Sequence, residues 1–465
     1  MPKHGNNGYL QKLKPNPMKL FSSFIHSRLL YEILCGIMFC SCILNAQTPK
    51  YFTSTPIWGN NLNCNGIRIA QTSAKDYVVS GNTLDPINAR FRVFIANINQ
   101  VGEFTGFQEF IKQDTLSHTG SMATNHNKKR LLNAGAVIDT NNTRYHSYYL
   151  LTDFNGNLLN ESIDSMALAG YENLFYAASN AFDGGYIVAG QSSAAPVVSG
   201  GGYVPYHPYV VKLDSLGNRQ WDRLYTAYGP PLFAWIRNIQ PAPNGSGYFL
   251  LGTTGNAVVG DALLIKIDTA GNELWHKTYD LSIGLDEFIG EQGSTILPTS
   301  DGGLIITVYH RDYDPFTGCC PPFVVGRKGV FIKTDSLGNV IWDTIRMTID
   351  DDSDEIISFV PEPNLVETPD GNYVAAGHRI PLAGQIDGEL VKVSKAGKVL
   401  WRRTYDLDGF DDYIYDMITS PDGGFVMCGR SETVLPPWGL IARLLIIKTN
   451  CMGLLTEPEA AFAYE

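Results

Sequence analysis

An all-β fold built by repetition follows from three observations on this chain. Its composition is turn-rich, with 46 Gly and 25 Pro among 465 residues, 17% charged and 11% aromatic, a balance that suits neither a disordered chain nor a coiled coil. One phrase recurs along its length. Between the recurrences no segment shows the 3.6-residue apolar period of an amphipathic helix.

The phrase is seen whole as Asp183-Gly184-Gly185-Tyr186-Ile187-Val188-Ala189-Gly190, a loop, and then Tyr209-Val210-Val211-Lys212-Leu213-Asp214-Ser215-Leu216-Gly217-Asn218 leading to Trp221. Its first half returns at Gly247–Gly252, Asp301–Val308, Asp370–Gly377 and Asp422–Gly429, and its second half at Leu263–Trp275, Val330–Trp342, Leu390–Trp401 and Leu444–Gly453. Fainter copies lie at Asp76–Gly81 with Phe94–Gly102, and at Arg130–Gly135 with Tyr148–Gly156. That makes seven copies, about one per 60 residues, as in propeller repeats.

Each copy reads as four short β runs: one before Asp-Gly-Gly, one after it, one ending at Leu-Asp, and one carrying Trp and Tyr, as in Trp221–Tyr225, Trp275–Tyr279 and Trp401–Tyr405. Asp-Gly-Gly and Leu-Gly-Asn are hairpin signals, because tight turns need a positive φ that Gly and Asn tolerate. Four strands per unit make a propeller blade. The predicted fold is therefore a seven-bladed β-propeller of four-stranded blades over residues 47–456. The seventh copy lacks a Trp/Tyr strand, whereas Lys50-Tyr51-Phe52-Thr53-Ser54-Thr55 stands spare near the N-terminus. That N-terminal strand is predicted to complete blade seven and close the ring, removing open sheet edges.

The first 46 residues read as targeting. Met18-Lys19 and Arg28 precede Ile33–Leu44, twelve uncharged and mostly apolar residues, and Leu44-Asn45-Ala46 resembles a cleavage site. The stretch is too short to span a bilayer. Residues 1–17 before Met18 are consistent with an over-extended start. Removing 1–46 takes away five basic residues and Glu32, leaving 30 basic against 45 acidic residues, a net charge of −15. So large an excess of acid disfavours a nucleic-acid partner, whose phosphates need neutralising. Five cysteines remain, Cys64, Cys319, Cys320, Cys428 and Cys451, too few for a disulfide framework.

The repeat resembles that of secreted Bacteroidota β-propeller proteins, many of them exported by type IX secretion, and the likeness covers roughly residues 60–455. It implies a secreted or cell-surface protein and no particular activity. The end, Pro458–Tyr464, resembles the opening strand of an Ig-like PKD module, so 457–465 reads as a linker or the start of such a module. Quinone-dependent dehydrogenase propellers are a poorer match: the spacing Asp268, Gly271, Trp275 is one residue shorter than theirs, and seven copies stand where they have eight.

In this strand order the Asp-Gly-Gly and Leu-Gly-Asn turns share one face, and the connections of variable length share the other, where binding usually resides. The long connections carry Tyr203, Tyr206 and His207, then Tyr309, His310, Asp312 and Tyr313; Trp438 stands in a Pro-Pro-Trp-Gly loop. Aromatic rings beside a few polar groups suit sugar rings or peptides, and they equally suit packing of their own loops. Acidic pairs recur before the innermost strands at Asp286-Glu287, Asp354-Glu355 and Asp411-Asp412, with Glu172 in a related position. Ringed around a channel mouth they could hold calcium. Their regular recurrence favours the other reading, in which each acid accepts backbone N–H groups and locks neighbouring blades together. Adjacent Cys319-Cys320 could close a vicinal disulfide, and Cys428 replaces a small core residue in its strand.

No nucleophile elbow, zinc spacing, phosphate loop or dinucleotide fingerprint is present. The sequence thus leans away from an enzyme, with no cofactor unless it is calcium. It points to an extracellular scaffold whose partners would be polysaccharides, peptides or other surface proteins. The alternatives are a glycan-active hydrolase or lyase using loop-face acids such as Asp312, Asp354 and Asp411, and a structural spacer of a larger surface protein.

Overall fold

The computed structural model describes residues 52–455 apart from 55–62, 73–75, 85–90, 111–114, 126, 128, 140–143, 165–170, 194–204, 229–232, 256–259, 282–288, 314–323, 345–364, 380–383, 408 and 436–438. The leader expected over 1–46, the segment 457–465, and Tyr203, Asp286, Glu287, Cys319, Cys320, Asp354, Glu355 and Trp438 lie outside the described residues. The described elements are all strands, and no described helix is long and apolar enough to cross a membrane.

Four strands, β2 (Asn63–Gln71), β3 (Tyr77–Leu84), β4 (Phe91–Ile98) and β5 (Phe104–Phe110), follow the short β1 (Phe52–Ser54) and pair in chain order into an antiparallel sheet. The same order repeats in β6 (Thr115–Asn125), β7 (Arg130–Asp139), β8 (Arg144–Asp153) and β9 (Leu158–Ile163). Next come β10 (Asn173–Asn180), β11 (Tyr186–Ser193), β12 (Tyr206–Leu213) and β13 (Arg219–Leu224), then β14 (Phe233–Pro241), β15 (Tyr248–Gly255), β16 (Gly260–Ile267) and β17 (Glu273–Tyr279). These eight form one sheet, because a single parallel bridge, Tyr206 to Phe233, joins β12 to β14. Beyond them lie β18 (Ile289–Pro298), β19 (Leu304–Tyr313), β20 (Val324–Thr334) and β21 (Val340–Asp343), then β22 (Leu365–Glu367), β23 (Tyr373–Arg379), β24 (Asp387–Val393) and β25 (Val399–Tyr405). The last sheet contains β26 (Asp412–Thr419), β27 (Phe425–Leu435) and β28 (Gly439–Thr449), with β1 added alongside β28 through Phe52–Lys448, Thr53–Ile447 and Ser54–Ile446.

The fold is an all-β β-propeller. Hydrogen bonding gives five four-stranded sheets and one of eight, which corrects the expectation of seven separate sheets. The reason is local: Tyr206 reaches Phe233 at the edge where two four-stranded groups meet, and the rings of that pair stack at 5.9 Å.

The repeat phrase is legible in the packing. Second and third strands are buried on both faces, as in Tyr186–Ala189 and Tyr209–Val211, so they read as continuous apolar runs. Fourth strands alternate, as in Glu273–Tyr279. Their cores lie between sheets: Cys64, Val79 and Phe94 of the first sheet share a cluster with Val426, Cys428, Leu444 and Ile446 of the last.

First strands carry a β-bulge at one recurring point, leaving Ile67, Gly120, Tyr176, Arg237, Ser294 and Tyr415 out of register. A bulge bends the strand and adds twist. It also drives a carbonyl toward the second strand, which explains the glycine closing the phrase: a Cβ on Gly190 would sit 1.9 Å from Leu174 O, and one on Gly252 1.8 Å from Trp235 O.

The fourth-strand Trp and Tyr latch one group of four strands to the next. Tyr225, Tyr279 and Tyr405 each donate a hydroxyl hydrogen bond of 2.8 Å to the carbonyl of a turn glycine in the following group, Gly271, Gly338 and Gly453. The rings of Trp221, Trp275 and Trp401 cover the same glycines so closely that a Cβ there would lie 2.8, 3.1 and 3.3 Å away.

Candidate functional site

Two ends of the molecule differ in construction. At one end the turns are uniform: Asp153, Asp214, Asp268 and Asp335 each accept, through Oδ1, two backbone N–H bonds of 2.8–2.9 Å from the residues two and four positions on. At the other end the connections between second and third strands run from three residues (436–438) to twelve (194–205).

Between the first strands lies a cavity of about 320 Å³, lined by residues of β2, β6, β10, β14, β18 and β26, among them Arg68, Ser121, Asn238, Gln240, Thr295 and Asp416. Asp416 is buried, and its Oδ2 accepts the Ile69 N–H at 2.8 Å, tying the last sheet to the first. Bulged residues supply aromatic and cationic groups: Arg237 stands over the Tyr176 ring at 4.7 Å, while Tyr413 and Tyr415 stack at 6.1 Å, with Arg430 over Tyr413 at 4.0 Å. His378, fully buried, meets the Tyr413 ring edge-on at 4.9 Å.

The aromatic residues singled out in the sequence divide. Tyr206 donates to Glu172 Oε2 at 2.6 Å and stacks on Phe233, so its ring is engaged by the residue before β10 and by the start of β14. His207 is half-buried, and that burial pushes its imidazole pKa down. Tyr309 and His310 are buried, and His310 Nδ1 lies 3.4 Å from Glu291 Oε1. Asp312 and Tyr313 sit at the end of β19, Asp312 paired with Ile289 and Gly326, and Tyr313 with Val324.

Of the acidic pairs, Asp411-Asp412 is described. Asp411 Oδ1 accepts the Ile386 N–H at 3.0 Å from the preceding sheet, and Asp412 Oδ2 accepts the Leu407 N–H. Burial, joined by the carboxylates of Asp406 and Asp387 and opposed by the Ser431 hydroxyl and the Leu407 N–H, pushes the Asp412 carboxyl up to about 6. The same position recurs with other residues: Asn63 Oδ1 accepts from Ala442 N at 2.9 Å and Asn173 Oδ1 from Ser147 N at 2.8 Å. Glu172 Oε1 lies 3.4 Å from the Tyr145 N–H. An inter-sheet lock is the chemistry these side chains perform.

One acidic group was missed by sequence reasoning. Carboxylate oxygens of Asp261, Asp280 and Glu291 lie within 4.8 Å of one another. The three residues are scattered over 31 positions and belong to no motif. Cys64 and Cys428 are buried thiols; burial and then Glu109 push Cys64 up to about 12, and burial likewise raises Cys428.

No family model matches the chain, and no curated protein matches it. Among solved structures it is similar to a protein of unknown function from Dyadobacter fermentans, at 12% identity over 86% of this chain and 100% of that one, with a TM-score of 0.45. It is also similar to the α-L-arabinofuranosidase of Fusarium graminearum solved with arabinobiose (10% identity, 86% and 98% of the two chains, TM-score 0.45). A third is the β-propeller domain of the Trilobed protease from Pyrococcus furiosus (9% identity, 88% and 100%, TM-score 0.40).

Proposed function

We propose that the chain is a seven-bladed propeller, closed by β1, that works outside the cell as a non-catalytic recognition scaffold of the secreted Bacteroidota kind. Counting the eight-stranded sheet as two blades is supported by its construction, two antiparallel groups of four joined by one bridge. Closure is supported by the pairing of β1 with β28 and by the core shared between the first and last sheets. The leader-like stretch read in the sequence over 1–46 supports export.

The observation that carries the functional reading is the contrast between the two ends. Uniform Asp-anchored turns at one end build a rigid frame, whereas the other end varies from three to twelve residues per connection. Variable loops on a rigid scaffold are the usual place for recognition. Polysaccharide or peptide is the class of partner that suits the aromatic and histidine side chains the sequence assigns to these connections, Tyr203, His207 and Trp438 among them.

The test is glycan- and peptide-array binding by the full chain, repeated with residues 195–203 replaced by Gly-Ser repeats. Binding that disappears with the replaced connection supports a loop-face scaffold. Binding unaltered by it, or turnover of a bound glycan, overturns the reading.

A further inference from the structure

We propose that Asp261, Asp280 and Glu291 form a calcium site at the joint between the strands β14–β17 and the sheet of β18–β21. Asp261 is the second residue of β16, Asp280 directly follows β17, and Glu291 is the third residue of β18, so the site exists only when the two groups of strands are packed together. All three offer a carboxylate oxygen within 4.8 Å of the others.

Three carboxylates held this closely repel one another, and part of the group has left water. Glu291 is 1% exposed, and its Oε1 accepts no hydrogen bond. A buried carboxylate oxygen without a donor is costly, and such a group normally coordinates a metal or carries a pair. His310 Nδ1 lies 3.4 Å from that oxygen. Burial, and then the neighbouring Glu291 and Asp280, push the Asp261 carboxyl up to about 6.

The donor set selects the ion. Three carboxylates offer up to six oxygens and no thiol, which suits a hard cation of flexible geometry with six to eight oxygen ligands. His310 lies outside the converging group and beside Glu291, the place of a side chain that orients a ligand. Asp280 is exposed, so water can complete the shell. Magnesium, which demands near-ideal octahedral geometry and dehydrates reluctantly, fits less well.

An internal comparison sharpens the assignment. The equivalent positions two groups on hold Asp387, Asp406 and Asp412, yet Asp412 there accepts the Leu407 N–H, and that trio is not drawn together as closely. Asp412 Oδ1 and Glu291 Oε1 are both buried without a donor, and it is the longer Glu291 whose oxygen meets the other two carboxylates.

The inference does not rest on the scaffold reading, because it concerns a joint between strands and not the variable connections. The experiment is calcium titration of the EDTA-dialysed full chain by calorimetry and by melting temperature, alongside Asp261→Asn, Asp280→Asn and Glu291→Gln. The expected result is calcium binding that raises the melting temperature and weakens at least tenfold in Asp261→Asn and Asp280→Asn. Asp280→Asn alters an exposed residue and keeps the test open where Glu291→Gln fails to fold. Wild-type protein that binds no calcium, variants that bind it as tightly as wild type, or magnesium or zinc bound ten times more tightly than calcium would each overturn the assignment.

Discussion

Lys266 Nζ lies 4.1 Å from the centroid of the Phe249 ring and has no hydrogen-bond partner. In four other repeats the equivalent lysine reaches the aspartate of the hairpin turn: Lys212 to Asp183 at 2.8 Å, Lys333 to Asp301 at 3.0 Å, Lys392 to Asp370 at 2.7 Å and Lys448 to Asp422 at 3.1 Å. The fourth repeat reads Asn244-Gly245-Ser246-Gly247 at that turn and offers no carboxylate. Burial therefore pushes the Lys266 amine down to about 8. Lys266→Met is expected to stabilise the chain by about 1–3 kcal/mol near neutral pH, by removing a buried cation without a counter-ion. Between about 8 and the ordinary 10.5 the unfolded chain holds the extra proton, so wild-type stability rises with pH across that window. The variant should lack that rise, which denaturant midpoints at several pH values will show.

Asp301 works in the opposite direction. Burial pushes its carboxyl up, but the Thr299 hydroxyl, the Gly303 N–H and Lys333 together hold it down at about 2. Its stabilising contribution is complete above the ordinary 3.8 and is lost as pH falls toward 2. Asp301→Asn should flatten the acid limb of the stability curve in that window, as read by acid titration of circular dichroism. Asp301 is largely exposed, which keeps the effect small.

The latch between strand groups separates into two parts. Tyr405→Phe removes one hydroxyl bond to the Gly453 carbonyl and is expected to cost about 1 kcal/mol. Trp401→Ala uncovers the same glycine and should cost about 2–4 kcal/mol. Urea denaturation of both single variants and the double variant will show whether ring and hydroxyl act on one joint: costs that simply add would argue against a shared latch.

Gly252→Ala places a methyl group 1.8 Å from the Trp235 carbonyl, so strand or bulge must move. The expected loss exceeds about 3 kcal/mol, in the range of strained or overpacked core substitutions. A melting temperature within a few degrees of wild type would show that the bulge does not need this glycine.

Deleting residues 50–54 removes β1 and bares the edge of β28. The deleted chain should melt several degrees lower and self-associate in a concentration-dependent way during ultracentrifugation, because an open strand edge templates pairing. A monomer of unchanged stability would remove β1 from the closure proposed above.

The repeat phrase was legible because local chemistry writes it. Asp and Asn at Asp214 and Asn218 build their own turn, and Tyr186–Ala189 must be apolar on both sides to sit between sheets. The acidic pair Asp411-Asp412 was legible too, including its alternative role as an acceptor of backbone N–H groups. The merging of two expected blades was not legible, since it turns on one bridge between Tyr206 and Phe233, where neither residue carries a pairing signal.

By itself the sequence determined the strand order, the turns and the recurrence of one four-stranded unit, because each depends on residues a few positions apart. Tertiary packing decided which side chains share a site. It buried Tyr309 and His310, tied Tyr206 to Glu172, and gathered Asp261, Asp280 and Glu291 from separate strands. The physical reason is one of range: turn and pairing preferences act between near neighbours, whereas the cost of a buried carboxylate depends on which sheet comes to lie against it.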